Sequence, residues 1–144
     1  PIIKINDIKN LNNQKIKNKS KLGTLASEII NNDLLENSNV VKVITKGILT
    51  NDNFLEAIDF KRKVFEKNKK IYHHLGIYCY EIETLKQFVS YKQSFNEKKN
   101  KLEQLRALDN NIKINVALAK SSSVGVDTEE DFVALKKIME YKSK

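Results

Sequence analysis

A chain of 144 residues with a single cysteine is long enough for one domain with its own core, and it cannot form an internal disulfide or a Cys/His metal cluster. Its 26 Lys and Arg against 18 Asp and Glu give a net charge of +8, but only Arg62 and Arg106 are arginines and the lysines are scattered, so composition argues against a nucleic-acid partner. No basic-then-apolar leader and no apolar run of membrane-spanning length can be read, which with the lone Cys79 points to a cytoplasmic protein without a membrane partner.

In chain order, Pro1-Ile2-Ile3-Lys4-Ile5 is short and apolar, and Asn6-Asp7 can cap a helix carrying Ile8, Leu11 and Ile16 on one side. Residues 13–21 are polar and are expected to be the least ordered. Leu22-Gly23-Thr24-Leu25-Ala26-Ser27 reads as a buried strand, residues 31–37 as a polar connection around Leu34 and Leu35. Asn39-Val40-Val41-Lys42-Val43-Ile44 is β-branched enough to be a strand, and Lys46-Gly47 marks a turn. Residues 53–62 satisfy helical and strand spacing each in part, through Phe54, Leu55, Ile58 and Phe60, and stay open between the two. The basic residues Lys61-Arg62-Lys63 and Lys67-Asn68-Lys69-Lys70 read as an exposed loop rather than a phosphate clamp.

Ile71-Tyr72-His73-His74-Leu75-Gly76-Ile77-Tyr78-Cys79-Tyr80 reads as a strand with two opposite faces. Ile71, His73, Leu75, Ile77 and Cys79 would face a core. Tyr72, His74, Tyr78 and Tyr80 would surround the bare position Gly76, as either a wet aromatic face or the floor of a ligand site. Leu85, Phe88 and Val89 then predict a helix, and a second helix is expected over residues 97–108 with Leu102, Leu105 and Leu108 on one side. Asp109-Asn110-Asn111 ends it, and residues 112–119 alternate as a strand. In the last helix, Asp127 can cap with Glu130 reaching back, or Thr128 with Asp131, and Phe132, Leu135, Ile138 and Met139 would face the core. Strands separated by helices predict one α/β domain spanning residues 1–144, with a mixed sheet, flanking helices and an uncertain basic segment over residues 53–70.

His74-Leu75-Gly76-Ile77-Tyr78, Leu102-Glu103-Gln104-Leu105-Arg106-Ala107-Leu108 and Gly125-Val126-Asp127-Thr128, in this order and spacing, resemble the C-terminal half of 3-deoxy-manno-octulosonate (Kdo) cytidylyltransferase. Asn39-Val40-Val41-Lys42-Val43, Thr24-Leu25-Ala26-Ser27 and Pro1-Ile2-Ile3 extend the resemblance over essentially the whole chain. It implies the C-terminal part of a Rossmann-like nucleotide-diphospho-sugar transferase fold, without the N-terminal nucleotide-binding βα units. No Gly-rich phosphate loop substitutes for them.

The resemblance implies attack by the 2-hydroxyl of Kdo on the α-phosphate of CTP, giving CMP-Kdo and pyrophosphate for lipopolysaccharide synthesis, with Mg²⁺ as cofactor. By motif match Asp127 would be a metal ligand, the second metal aspartate being absent from these residues, although an Asp at a helix start can equally be a cap. His74 and Tyr78 would line the sugar site, and Glu103 and Gln104 would bond the sugar hydroxyls. Glu103 and Arg106 can otherwise form an i, i+3 ion pair on a solvated helix face. Arg62 would meet the Kdo carboxylate, although Ala57-Ile58-Asp59-Phe60-Lys61-Arg62 departs from the family's Tyr-Phe-Ser-Arg strand. No residue is assigned a catalytic role. The resemblance further implies a homodimer and negligible synthetase activity from these residues alone; a split enzyme, a non-catalytic remnant or a basic binding module are the other readings.

Overall fold

The computed structural model describes residues 3–65 and 68–120, together with residues 129, 132, 133, 136 and 137. The elements run α1 (Ile5–Lys17), β1 (Leu22–Ser27), α2 (Asp33–Glu36), β2 (Lys42–Thr45), β3 (Leu55–Lys61), β4 (Ile71–Tyr80), α3 (Ile82–Ser90), α4 (Phe95–Asn100), α5 (Leu105–Asp109) and β5 (Asn115–Leu118). The sheet is mixed: β1 pairs parallel with β5 and antiparallel with β4, and β2 lies antiparallel between β4 and β3. Leu55 opposite Val116 and Glu56 opposite Asn115 close the strands into a ring in the order β1-β4-β2-β3-β5.

β1 is buried along its whole length because both its faces are covered. Leu22 and Ala26 belong to a large apolar cluster with Val43, Phe60, Tyr72, Phe88, Leu105 and Val116, while Leu25 joins Leu11, Phe54, Ala117 and Ala119 beneath α1. The alternation of side chains along one strand thus feeds two cores.

Several sequence expectations change here. Asn6 and Asp7 sit inside α1 rather than capping it, and the cap position is Lys4. Asp7 is buried and accepts a bond from the Lys120 backbone N–H at 3.0 Å. Residues 13–17 are helical, held where the buried Gln14 donates to Asn51 O at 3.1 Å. Within residues 53–62 the strand β3 (Leu55–Lys61) forms because Phe60 pairs with Val43 and Ala57 with Thr45 in the sheet, a tertiary ladder that local spacing does not encode.

The helix expected over 97–108 is two short helices. Ser94 and Glu97 form a reciprocal capping box at the start of α4, and Lys101 closes that helix in the left-handed region at φ 53°. Leu102 then turns into the core. Glu103 and Gln104 accordingly lie on a connector, not on a continuous helix face. In the last stretch Asp127, Thr128, Glu130 and Asp131 lie outside the described residues, and Phe132, expected in the core, is exposed. Among the described residues no helix is long and apolar enough to cross a membrane.

Both faces of β4 meet a core, where the sequence pattern assigned a core to only one of them. Tyr72 and His74 are the buried residues, and Tyr78 and Tyr80 pack on the larger core, while Leu75, Ile77 and Cys79 lie against the smaller one. Thr24 opposes Tyr78 and Ala26 opposes His74, so Leu75, Gly76 and Ile77 together face Leu25 across a bulge. Gly76 takes φ +69° there and is open to solvent, with no atom within 4 Å of where a Cβ would stand. Gly76→Ala is therefore expected to cost about 1–2 kcal/mol from backbone strain alone, and Gly76→Asn less, as read by urea denaturation; equal stability of Gly76→Ala and wild type would contradict the strain.

Candidate functional site

The bulge sits at the mouth of a cleft of about 460 Å³. Strand β4 supplies His74, Gly76, Tyr78 and Tyr80 to one wall, α3 supplies Leu85 and Phe88, the α4–α5 connector supplies residues 101–104, and Val41 closes the remaining side. The volume is that of a small-molecule site, apolar with a few polar groups converging on it.

His74 is nine-tenths buried and its chemistry is fixed by one proton count. Thr24 Oγ1 donates its proton to Ile77 O at 2.6 Å, so at 3.0 Å it accepts from His74 Nε2–H. Burial, and secondarily the charge of His73, pushes the His74 pKa down to about 3. The imidazole is therefore neutral, with Nδ1 carrying the lone pair. Its ring is wedged between Phe60, at 5.0 Å edge-on, and Tyr78, at 5.5 Å.

Burial, with Tyr80 and Glu103 adding to it, pushes the Tyr78 phenol upward, and Tyr80 is raised by burial and Glu103 against an opposing pull from Arg106. Both hydroxyls therefore stay protonated, and neither meets a protein hydrogen-bond partner among the described residues. The same holds for the side-chain amide of Gln104, which is only 7% exposed and stands at the N-cap of α5 without making a capping bond. Three protonated or neutral polar groups with unfilled valences thus converge on one cavity. Such groups suit the hydroxyls of a polyol, which both donate and accept.

Glu103 lies at the rim, its side chain 74% exposed and 3.2 Å from Arg106. The expected Glu103–Arg106 pair is real but secondary. Arg106 is held mainly by the buried Glu97, through Nε to Oε2 at 2.8 Å and Nη2 to Oε1 at 2.5 Å, and its guanidinium lies 4.7 Å from the Phe88 ring centre. That pair braces the floor beneath the cleft.

Arg62 is not among the lining residues. Its guanidinium donates to Ser38 O, Asn100 O and Lys101 O at 2.8–2.9 Å, so the structure uses it to tie two loops together. The cation in the lining is Lys101. Lys101 was hidden from sequence because helical spacing runs through it and Leu102 carried only a core signal, whereas Tyr80 was signalled by sharing the alternating face of His74 and Tyr78. Leu85 and Phe88 carried only a helix signal. For a metal, the described residues contain no group of three His, Cys, Asp or Glu side chains, and Asp127 lies outside them; the described part of the site does not fit a Mg²⁺ ion on its own.

A second cleft of about 530 Å³ shares no residue with the first and is lined by Lys19, Lys21, Lys113 and several asparagines. It holds none of the residues singled out from sequence.

No family model matches the chain. The 3-deoxy-manno-octulosonate cytidylyltransferase of Bartonella bacilliformis is 41% identical over 123 residues, 85% of this chain and 50% of that protein. That of Thermodesulfovibrio yellowstonii is 39% identical over an alignment covering 96% of this chain and 56% of the relative. Among solved structures, a CMP:2-keto-3-deoxy-manno-octonic acid synthetase complexed with CTP superposes with a TM-score of 0.80 at 26% identity, over 99% of this chain and 58% of that one. The chain spans about half the length of the curated relatives it matches, a share that fits a C-terminal portion.

Proposed function

We propose that this chain is a portion, about half the length, of a 3-deoxy-manno-octulosonate cytidylyltransferase, and that its cleft is the sugar-acid site of a reaction that couples Kdo to CTP and releases pyrophosphate. The observation that carries the reading is the convergence of His74, Tyr78 and Gln104 on one cavity, each with hydrogen-bonding capacity left for a ligand. Neutral His74 offers Nδ1 as an acceptor, the tyrosine hydroxyls and the Gln104 amide donate and accept, and Glu103 reaches from the rim. Lys101, rather than the engaged Arg62, stands in the lining as the counter-charge for the sugar carboxylate.

These residues bind and orient; none of them is placed to remove the proton of the attacking hydroxyl or to hold the triphosphate. We therefore assign to the 144 residues sugar-acid binding without turnover, CTP entering only with further binding elements. Mg²⁺, which would neutralise phosphate charge, is proposed to engage Asp127, and no step is assigned to it among the described residues.

Calorimetry with Kdo tests the binding. Saturable binding is expected, weakened about 2- to 10-fold in Gln104→Ala, the effect of losing one hydrogen-bonding group. No binding by wild type, or equal binding by the variant, would overturn the assignment. Pyrophosphate release from CTP, Kdo and Mg²⁺ at rates near about 1 s⁻¹ would overturn the absence of turnover. We also propose a homodimer, supported by Ile82, Leu85 and Val89, which leave an exposed apolar stripe along α3. Light scattering that shows only monomer at high concentration would count against it.

A further inference from the structure

The side chain of Lys42 is fully buried, yet nothing in the sugar site uses it. Its ammonium donates to Leu34 O at 3.1 Å, Asn37 O at 2.8 Å, Val40 O at 2.5 Å and Arg62 O. Four carbonyls share three protons, an arrangement closer to a dehydrated cation in an oxygen cage than to a snorkelling surface lysine. Burial, followed by the charges of Arg62 and Lys63, pushes its pKa down to about 8, so at neutral pH it is mostly charged, and the carbonyl dipoles favour that form.

The caged carbonyls come from α2, from the turn after it, from the approach to β2 and from the far end of β3. Drawing them to one point fixes the polar middle of the loop over residues 34–41, between the core-packed Leu35 and Val41. Two connections lead from there to the cleft. Val41, next to the caged Val40, lines the cleft and accepts the His74 backbone N–H at 2.9 Å. Arg62, whose carbonyl is caged, sends its guanidinium back to Ser38 of the same loop and onward to Asn100 and Lys101, and Lys101 lines the cleft as well.

We propose that Lys42 is a positioning residue for the cleft: an internal cation whose carbonyl cage, extended by the Arg62 clamp, sets the Val41 and Lys101 walls without touching the ligand. A lysine that merely filled volume could be replaced by methionine with little consequence. In the caged arrangement the same replacement leaves four carbonyls facing an apolar group, a desolvation cost the loop can relieve only by opening to water.

The affinity part of this inference rests on the sugar-acid reading, and the exchange part does not. Lys42→Met and Arg62→Gln are compared with wild type by hydrogen exchange and by Kdo calorimetry. Arg62→Gln keeps the caged carbonyl and removes only the clamp, so it remains informative if Lys42→Met does not fold. For Lys42→Met, faster exchange confined to residues 34–41 and 101–102 is expected, with Kdo affinity lower by about tenfold or more, as misplaced cleft walls would produce. For Arg62→Gln, faster exchange is expected at residues 38 and 100–102 with a smaller loss of affinity. Propylammonium ions should restore protection over 34–41 in Lys42→Ala, by refilling the cage. Unchanged exchange over 34–41 and 101–102 in folded Lys42→Met, or unchanged exchange in Arg62→Gln, would overturn the proposal. Wild type that binds no Kdo while the exchange pattern appears as expected would sink the sugar-acid reading and leave the cage standing.

Discussion

Glu97→Ala is expected to destabilise the chain by about 3–5 kcal/mol, the cost of leaving one member of a buried ion pair without its partner. With native domains stable by only about 5–15 kcal/mol, this is a large share of the total. The Glu97 carboxylate is fully committed: besides both bonds from Arg106 it accepts from the Ser94 backbone N–H at 3.2 Å and the Gln93 amide at 3.3 Å. It therefore caps α4 and fastens α4 to α5 at once. Removal strands the Arg106 guanidinium against Phe88, in a place water reaches poorly. Glu103→Ala, at an exposed partner of the same arginine, should cost no more than about 1 kcal/mol. Urea denaturation of the two variants tests the contrast, and a loss below about 1 kcal/mol for Glu97→Ala would mean the pair does not brace the fold. Joint replacement of Glu97 by Leu and Arg106 by Met should recover much of the loss, since an apolar pair carries no desolvation cost.

The second large effect is a loss of stability in acid that traces to His74. Its folded pKa of about 3 lies below the value of 6.5 for a free side chain, so between those values the unfolded chain binds the extra proton. Stability is full above pH 6.5 and falls as the pH drops towards 3, by about 1.4 kcal/mol per unit at most. Hydrogen bonds from Arg106 first, and from the Ser94 backbone, hold the Glu97 carboxyl below its usual value, so its contribution is present above about pH 4.5 and is lost only below it. The interval from 4.5 to 6.5 therefore reports on the imidazole. Denaturation midpoints of His74→Phe should be nearly flat across that interval while wild type declines; parallel slopes would show that His74 is not the group responsible.

How much of this was legible in the sequence depends on what each residue's role rests upon. β1, β4, α3 and β5 follow from alternation and spacing, and the cleft residues His74, Tyr78, Glu103 and Gln104 came from motifs that the fold brings to one place. What local pattern could not show is that both faces of β4 would be covered. Its aromatic face could be read as wet or as the floor of a ligand site, and it both lines the cleft and packs beside Phe60 and Phe88. The break at Lys101 was equally invisible, since no glycine marks its left-handed C-cap, whose backbone N–H closes on Glu97 O. Arg62 poses a related difficulty: a guanidinium reads the same in sequence whether its partner is a sugar carboxylate or the three backbone carbonyls it meets here.

The ring of strands also has a bearing on when the cleft can exist at all. Ser20 bonds Asn115 across 95 residues and Asn10 reaches Leu118 across 108, so β1 finds its parallel neighbour only near the end of the described chain. Such distant pairings are entropically slow to close, and domains built on them fold slowly. During synthesis β4 can dock on β1 early, but the ring stays open until β5 emerges and meets both β1 and β3. The cleft thus rests on a sheet that closes late, and a chain stalled before residue 115 would leave apolar and aromatic residues of that open sheet exposed, in a form that chaperones and proteases recognise.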